Sequence, residues 1–168
     1  SAATLAYRQG QTVEPRMGAE LRGACVGIIG YGEIGRLVAR LAQAFGMRVC
    51  VYDPYLVPQD PAVQSVDWNE LLARADHVVC LAPATPETEN LINAQALSLM
   101  KPTAFFINAS RGQLVDEQAL LHALDQGLLA GAALDVGGAG GPNPTPQQAR
   151  PPPVVAPPPV GGFSQPAH

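Results

Sequence analysis

Lysine is nearly missing from this chain: Lys101 stands alone against nine arginines in 168 positions. Charge of either sign is sparse, at 14% of residues, and the balance is −4. A basic patch for nucleic acid or for an acidic membrane surface is therefore not expected. Aromatic residues make up only 5%, and the longest apolar runs are strand-length, too short for a bilayer. Cysteine is limited to Cys25, Cys50 and Cys80. An odd number without Cys-x-x-Cys spacing argues against a disulfide framework and against zinc. Each thiol falls in or beside an apolar run, which predicts buried, reduced cysteines in a cytoplasmic protein. Residues 1–8 lack the charged-then-apolar layout of a signal peptide. An initiator methionine is also lacking, and the chain is expected to begin inside a longer protein.

What the chain does have is glycine at a telling spacing. Gly30-Tyr31-Gly32-Glu33-Ile34-Gly35 stands directly behind the apolar run Cys25–Ile29 and directly ahead of a helical pattern at residues 36–42. Strand, glycine turn and helix in that order form the fingerprint of a dinucleotide site. Gly30 permits the tight turn, Gly32 lets backbone approach a pyrophosphate, and Gly35 lets helix and strand pack closely. The phosphate charge then meets the free N–H groups and the positive end of the helix.

The same alternation continues along the chain. Apolar runs predict strands at 24–29, 48–52, 77–81, 104–108 and 131–134. Between them, helical patterns occupy 33–45, 67–74, 94–100 and 116–124, with Asp67 placed as an N-cap. The stretch between Asp53 and Asp67 reads as a proline-rich connection. Strands this apolar, alternating with helices, imply an α/β fold with a parallel, doubly wound sheet covered on both faces. Ligands in such a fold bind at the carboxyl ends of the strands. The expected domain is residues 21–136, preceded by a helical segment and arm at 1–20. Residues 137–168 differ: they hold ten of the 17 prolines and one of the 24 charged residues, Arg150. That tail is expected to be irregular or polyproline-like, save a short strand at 154–156.

Candidate functional residues fall at the predicted carboxyl ends. Asp53 closes the second strand, eighteen residues beyond Gly35, where a carboxylate can accept from the adenosine ribose hydroxyls. Its negative charge would repel a 2′-phosphate, and Pro54-Tyr55 supplies no arginine, so NAD is favoured over NADP. A plain turn or cap before proline is the competing reading of Asp53. Ala82-Pro83-Ala84-Thr85-Pro86-Glu87-Thr88 ends the third strand in a rigid loop, either on the ligand side or merely structural. Arg111, among the small residues Ala109, Ser110 and Gly112, is placed to hold a substrate carboxylate bidentately and to polarise a neighbouring carbonyl. Asp135 ends the fifth strand, as a nicotinamide-side contact or as a cap of its own loop. His77, His122 and His168 all lie away from that edge and are not expected to act as the catalytic base.

With these pieces placed, residues 17–136 resemble the cofactor domain of the D-isomer-specific 2-hydroxyacid dehydrogenases. The motifs that carry the resemblance run in family order: the glycine turn with its strand, Tyr52-Asp53-Pro54, Pro83–Thr88, Met100-Lys101-Pro102, Asn108-Ala109-Ser110-Arg111-Gly112 and Gly131-Ala132-Ala133-Leu134-Asp135-Val136. The resemblance implies hydride transfer between NAD and the carbinol carbon of a 2-hydroxy acid, in a homodimer. It implies cofactor contacts at Gly30, Gly32, Glu33, Ile34, Gly35, Asp53, Ala82, Ala109, Ser110, Arg111 and Asp135, with Arg111 also binding the substrate's carboxylate and carbonyl oxygen.

The chain departs from the family where proton transfer takes place. The family's acidic stretch after the last motif is replaced by Gly137-Gly138-Ala139-Gly140-Gly141-Pro142, without a carboxylate. Proline stands at the position of the family's histidine, Pro159, in the frame Val154-Val155-Ala156-Pro157-Pro158-Pro159. Proline has no titratable group, and losing such a group costs roughly 10²- to 10⁴-fold in rate. The family's substrate domain is also not found. The expectation is a fragmentary, inactive dehydrogenase with a decayed or misread tail, in keeping with the arginine excess of a GC-rich coding sequence. A non-catalytic NAD(H)-binding regulatory module is the alternative, by analogy with corepressor relatives of the fold.

Overall fold

The computed structural model describes residues 20–135 and a two-residue strand, Val154–Val155. The expected arm before residue 20, Val136, and the rest of the tail, including Pro159 and His168, lie outside the described residues.

Seven strands form one sheet. They are β1 (Cys25–Ile29), β2 (Arg48–Tyr52), β3 (Val63–Ser65), β4 (His77–Cys80), β5 (Phe105–Asn108), β6 (Gly131–Leu134) and β7 (Val154–Val155). Their order is β3-β2-β1-β4-β5-β6-β7, and all pairings are parallel. β2 and β6 coincide with the sequence reading, and the other long strands differ from it by one residue at an end. β3 is an addition. Its three residues lie in the stretch read as a bare connection, and they are strand because Val49 and Val51 of β2 offer Val63 and Ser65 a partner.

Helix α1 (Glu33–Ala44) follows β1, α2 (Trp68–Arg74) precedes β4, α3 (Ala94–Leu99) precedes β5 and α4 (Glu117–Asp125) precedes β6. Three of the four start on a side-chain cap. Asp67 accepts from Glu70 N at 2.8 Å, Asn93 from Ala96 N at 2.9 Å and Asp116 from Ala119 N at 3.1 Å. Each cap contributes about 1 kcal/mol.

Successive strand residues point to opposite faces, and this divides the core. Val26, Ile28, Val49 and Val51 pack with Ala39 and Ala42 of α1. Cys25, Ile29 and Cys50, with Val78 and Phe106, pack with Leu71 and Leu72 of α2, Leu97 of α3 and Leu120 of α4. Burying residues of this size contributes roughly 1.5–3 kcal/mol each. The expectation of two covered faces holds for β1 and β2. Over β5 and β6 the second face is only half-covered among the described residues, where Ile107 and Ala133 are half-buried and Phe105 is exposed.

All three cysteines are free and buried. Cys25 and Cys50 sit on neighbouring strands with their sulfurs 3.7 Å apart. At the amino edge of the sheet, Asp76 accepts from Cys25 N at 2.8 Å and pairs with Lys101 Nζ at 3.0 Å. No helix among the described residues is long and apolar enough to cross a membrane. Among the same residues no group of three His, Cys, Asp or Glu could hold a metal ion.

Candidate functional site at the carboxyl edge of the sheet

The strand order reverses direction at β1, between β2 and β4, the point at which a doubly wound sheet of this kind leaves a crevice outside the carboxyl ends of its strands. The glycine turn fills one wall. Gly30 has φ +94°, a backbone that L side chains rarely adopt, and a Cβ there would meet Ala82 N at 2.9 Å. A Cβ on Gly35 would strike the Gly30 carbonyl oxygen, so helix α1 and the end of β1 touch through this glycine. Above Gly32 nothing lies within 4 Å. Gly32 is also the N-cap of α1 and no side chain caps it, so the first turn presents its N–H groups outward. Open space over an uncapped helix start suits a pyrophosphate.

Backbone hydrogen bonds continue the sheet past the strand ends and fix the loops against one another. Gly30 N donates to Tyr52 O at 2.9 Å and Leu81 N to Ile29 O at 2.8 Å. Ala109 N donates to Cys80 O at 3.2 Å and Asp135 N to Asn108 O at 3.0 Å. The Ser110 hydroxyl donates to Ala82 O at 2.6 Å, which joins the loops after β4 and β5. The sequence-predicted residues Gly30 to Gly35, Asp53, Ala82, Ala109 to Arg111 and Asp135 thus all occupy the same edge.

Asp53 does what its competing reading expected: it caps its own loop. Its Oδ1 accepts from Tyr55 N at 2.8 Å and Leu56 N at 3.0 Å. Its Oδ2 reaches further and accepts from Tyr31 N, inside the glycine turn, at 2.8 Å. Burial works to raise this carboxyl, and the three backbone donors, Tyr31 first, outweigh it and hold the group below its ordinary value.

The loop after β4 is rigid for a reason its threonines supply. Thr88 Oγ1 accepts from Thr85 N at 2.8 Å and donates to Pro83 O at 2.8 Å, around the short 3-10 turn Pro86–Thr88. After β5, Asn108 is fully buried and spends its amide on the next residues. Its Oδ1 accepts from Ser110 N and its Nδ2 donates to Arg111 O, both at 3.0 Å. Asn108 and Thr88 were not singled out as site residues. The signal was present, since Asn and Thr at a strand end ahead of small residues or proline build such turns. Arg111 itself is exposed, and among the described residues its guanidinium makes one hydrogen bond, to Ser110 O at 3.2 Å. Asp135 is exposed at the end of β6. His77 begins β4 at the opposite edge, stacked on Phe105, and His122 is exposed on α4. Neither approaches the crevice.

The sequence model described as D-isomer specific 2-hydroxyacid dehydrogenase, NAD binding domain, matches residues 2–158. Over 139 residues the chain is 42% identical to D-3-phosphoglycerate dehydrogenase of Methanocaldococcus jannaschii, covering 80% of this chain and 26% of that protein. A D-isomer specific 2-hydroxyacid dehydrogenase from Lactobacillus delbrueckii ssp. bulgaricus, solved in its NAD complexed form, is similar with TM-score 0.73 and 37% identity. That likeness covers 80% of this chain and 42% of the other. An acyclic imino acid reductase in complex with NADPH and D-Arg has TM-score 0.73 and 38% identity, over 80% of this chain and 44% of its own. The chain therefore spans a quarter to under half the length of these relatives.

Proposed function

Because the chain belongs to the D-isomer-specific 2-hydroxyacid dehydrogenase family, whose NAD-binding domain it matches, we propose that it forms the cofactor half of an oxidoreductase that moves a hydride between NAD and a D-2-hydroxy acid. The observation that carries this reading is the glycine turn closed against the uncapped start of α1. The N–H groups of Glu33 and Ile34 hold the pyrophosphate there, with Gly30, Gly32 and Gly35 giving the turn its shape. Asp53 takes a ribose hydroxyl. Ala82, Ala109 and Ser110 line the adenosine and nicotinamide sides with small groups and backbone, and Asp135 meets the nicotinamide end. When bound, the nicotinamide supplies or accepts the hydride. Arg111, with a guanidinium free of any acidic partner among the described residues, holds the carboxylate of the 2-hydroxy or 2-oxo acid and polarises its carbonyl.

NAD is the cofactor we assign in preference to NADP, because the Asp53 carboxylate is held ionised where a 2′-phosphate would stand. A second copy of this chain is the partner we assign. Ile34, Leu37 and Leu41 on α1 and Phe45 just past its end form a stripe, each half or more exposed, and helical stripes of this kind mark contact surfaces. Among the described residues no histidine reaches the crevice, and Pro159 occupies the position of the family's histidine in the sequence frame. The chain measured alone should therefore bind NAD weakly and turn over no 2-hydroxy acid. Calorimetric titration with NAD and NADP tests the first half. Absorbance assays of pyruvate-like and glyoxylate-like 2-oxo acids with NADH test the second. Turnover near that of an intact homologue would defeat the argument from Pro159, and equal affinity for NADP would defeat the cofactor assignment.

A further inference from the structure

We propose that Asp53 is a positioning residue for the glycine turn as well as a ribose ligand, so that substitutions made to admit NADP at this position loosen the turn for both cofactors. The inference rests on reading the turn as a dinucleotide site. Its basis is the bookkeeping of one carboxylate. An ionised carboxylate offers about four acceptor sites. In Asp53 three are occupied by backbone: Tyr55 N and Leu56 N on Oδ1, and Tyr31 N on Oδ2. One site remains, on Oδ2, the oxygen that faces the glycine turn.

Tyr31 is the residue between Gly30 and Gly32, and its N–H has no other acceptor among the described residues. Among the described residues one further bond, Gly30 N to Tyr52 O at 2.9 Å, ties this segment to the end of β2. The carboxylate therefore bridges the turn to the β2 loop and fixes their separation, which is the span a ribose must fit. Asparagine would not replace the carboxylate. Its single oxygen can serve Tyr31 or the Tyr55 and Leu56 pair, and its NH2 then opposes donors on the other side.

The test uses the chain as it exists, with Asp53→Asn, Asp53→Ser and Asp53→Glu, and Asp60→Asn as a control in the same loop. NADH and NADPH affinities are read by titration, and backbone amide exchange is followed at Tyr31, Tyr55 and Leu56. The expected result is a loss of about tenfold or more in NADH affinity for Asn and Ser, without a gain for NADPH, together with faster exchange at Tyr31. Asp53→Glu, which keeps the carboxylate, should restore part of both, and it stands in for Asn or Ser should either fail to fold. Asp60→Asn should leave Tyr31 unchanged, because among the described residues the Asp60 carboxylate accepts from Ala62 N and Gln43 Nε2 and not from the glycine turn. A gain in NADPH affinity with unaltered exchange at Tyr31 would overturn the proposal. Amide exchange needs no ligand, so a chain that binds no dinucleotide would sink the functional reading while this readout still decides the bridge.

Discussion

Replacing Gly35 by alanine sets two effects of one methyl group against each other. Inside an ordinary helix the change from glycine stabilises by about 0.8–1.0 kcal/mol. At Gly35 the added Cβ would strike the Gly30 carbonyl oxygen and lie 3.6 Å from Ile28 Cγ2. The carbonyl belongs to a turn residue held at φ +94°, with its N–H bonded to Tyr52 O, so it does not swing aside as the end of a side chain would. Overpacking of this kind costs about 1–3 kcal/mol, more than the helix gains. The expected net loss is about 1 kcal/mol or somewhat more, a fall of roughly 2–6 °C in Tm for a domain of this size. Gly32→Ala is the matching control. Its Cβ meets nothing within 4 Å and its φ of −74° suits any L residue, so the cost is the weaker N-cap, about 0.5–1 kcal/mol. That methyl nevertheless stands where the pyrophosphate is placed, and NADH affinity should fall by about tenfold or more. Thermal and urea unfolding, with NADH titration, separate the two variants. A Gly35→Ala protein as stable as its parent would refute the steric reasoning, and a Gly32→Ala protein with unchanged affinity would refute the placement of the phosphates.

Asn108→Ala should destabilise by about 1–3 kcal/mol in urea unfolding, because Ser110 N and Arg111 O each lose the fully buried Asn108 amide that holds their loop. Asp76 is held below its ordinary value first by the Cys25 N–H and then, against burial, by Lys101. Its contribution to stability is present above the ordinary Asp value near 4 and is lost as pH falls through the lowered folded value. Urea midpoints between pH 2 and 5 should accordingly fall less steeply for Asp76→Asn than for the parent; parallel curves would remove Asp76 from the acid limb. The Cys80 thiol is pushed up to about 11 by burial, and Cys50 is pushed up by its hydrogen bond to Cys25 and then by burial. A disulfide reagent at pH 8 should leave Cys50 and Cys80 unmodified in the folded chain and label them after unfolding, while Cys25, lowered to about 7 by its hydrogen bond with Cys50, is shielded by burial alone. Leu37→Glu with Leu41→Glu should lower the sedimentation coefficient of any dimer to that of a monomer; an unchanged value would take the stripe out of the interface.

The repeating units were legible because their cause is local. A run such as Arg48–Tyr52, three of whose five residues are fully buried, is apolar enough to announce itself, and Asp67, Asn93 and Asp116 mark helix starts by their chemistry. β3 was not legible. Three residues at the end of a proline-rich connection carry no period, and the strand exists because β2 offers a free edge. For the site, sequence spacing identified which residues reach the carboxyl edge but not which atoms they bind. Asp53 shows the difference. Ligand and loop cap stood as rival readings, and the carboxylate has capacity for both. The half-covered second face of β5 and β6 was likewise beyond reach, since strand composition reports burial but not what provides it.

Parallel order also dictates when the site comes into being. β1, α1 and β2 are contiguous and close a unit of fewer than thirty residues, with Val26 paired to Val49. β4 reaches β1 across a longer span, Val26 to His77, and β5 and β6 add themselves outward from there. Loop closure is slower and less favourable as the span grows. The glycine turn and Asp53 therefore belong to the part of the chain able to form first, during synthesis as well as in refolding. The Ala82 and Ser110 wall arrives later, and the crevice gains its second side only when the sheet has grown past its midpoint.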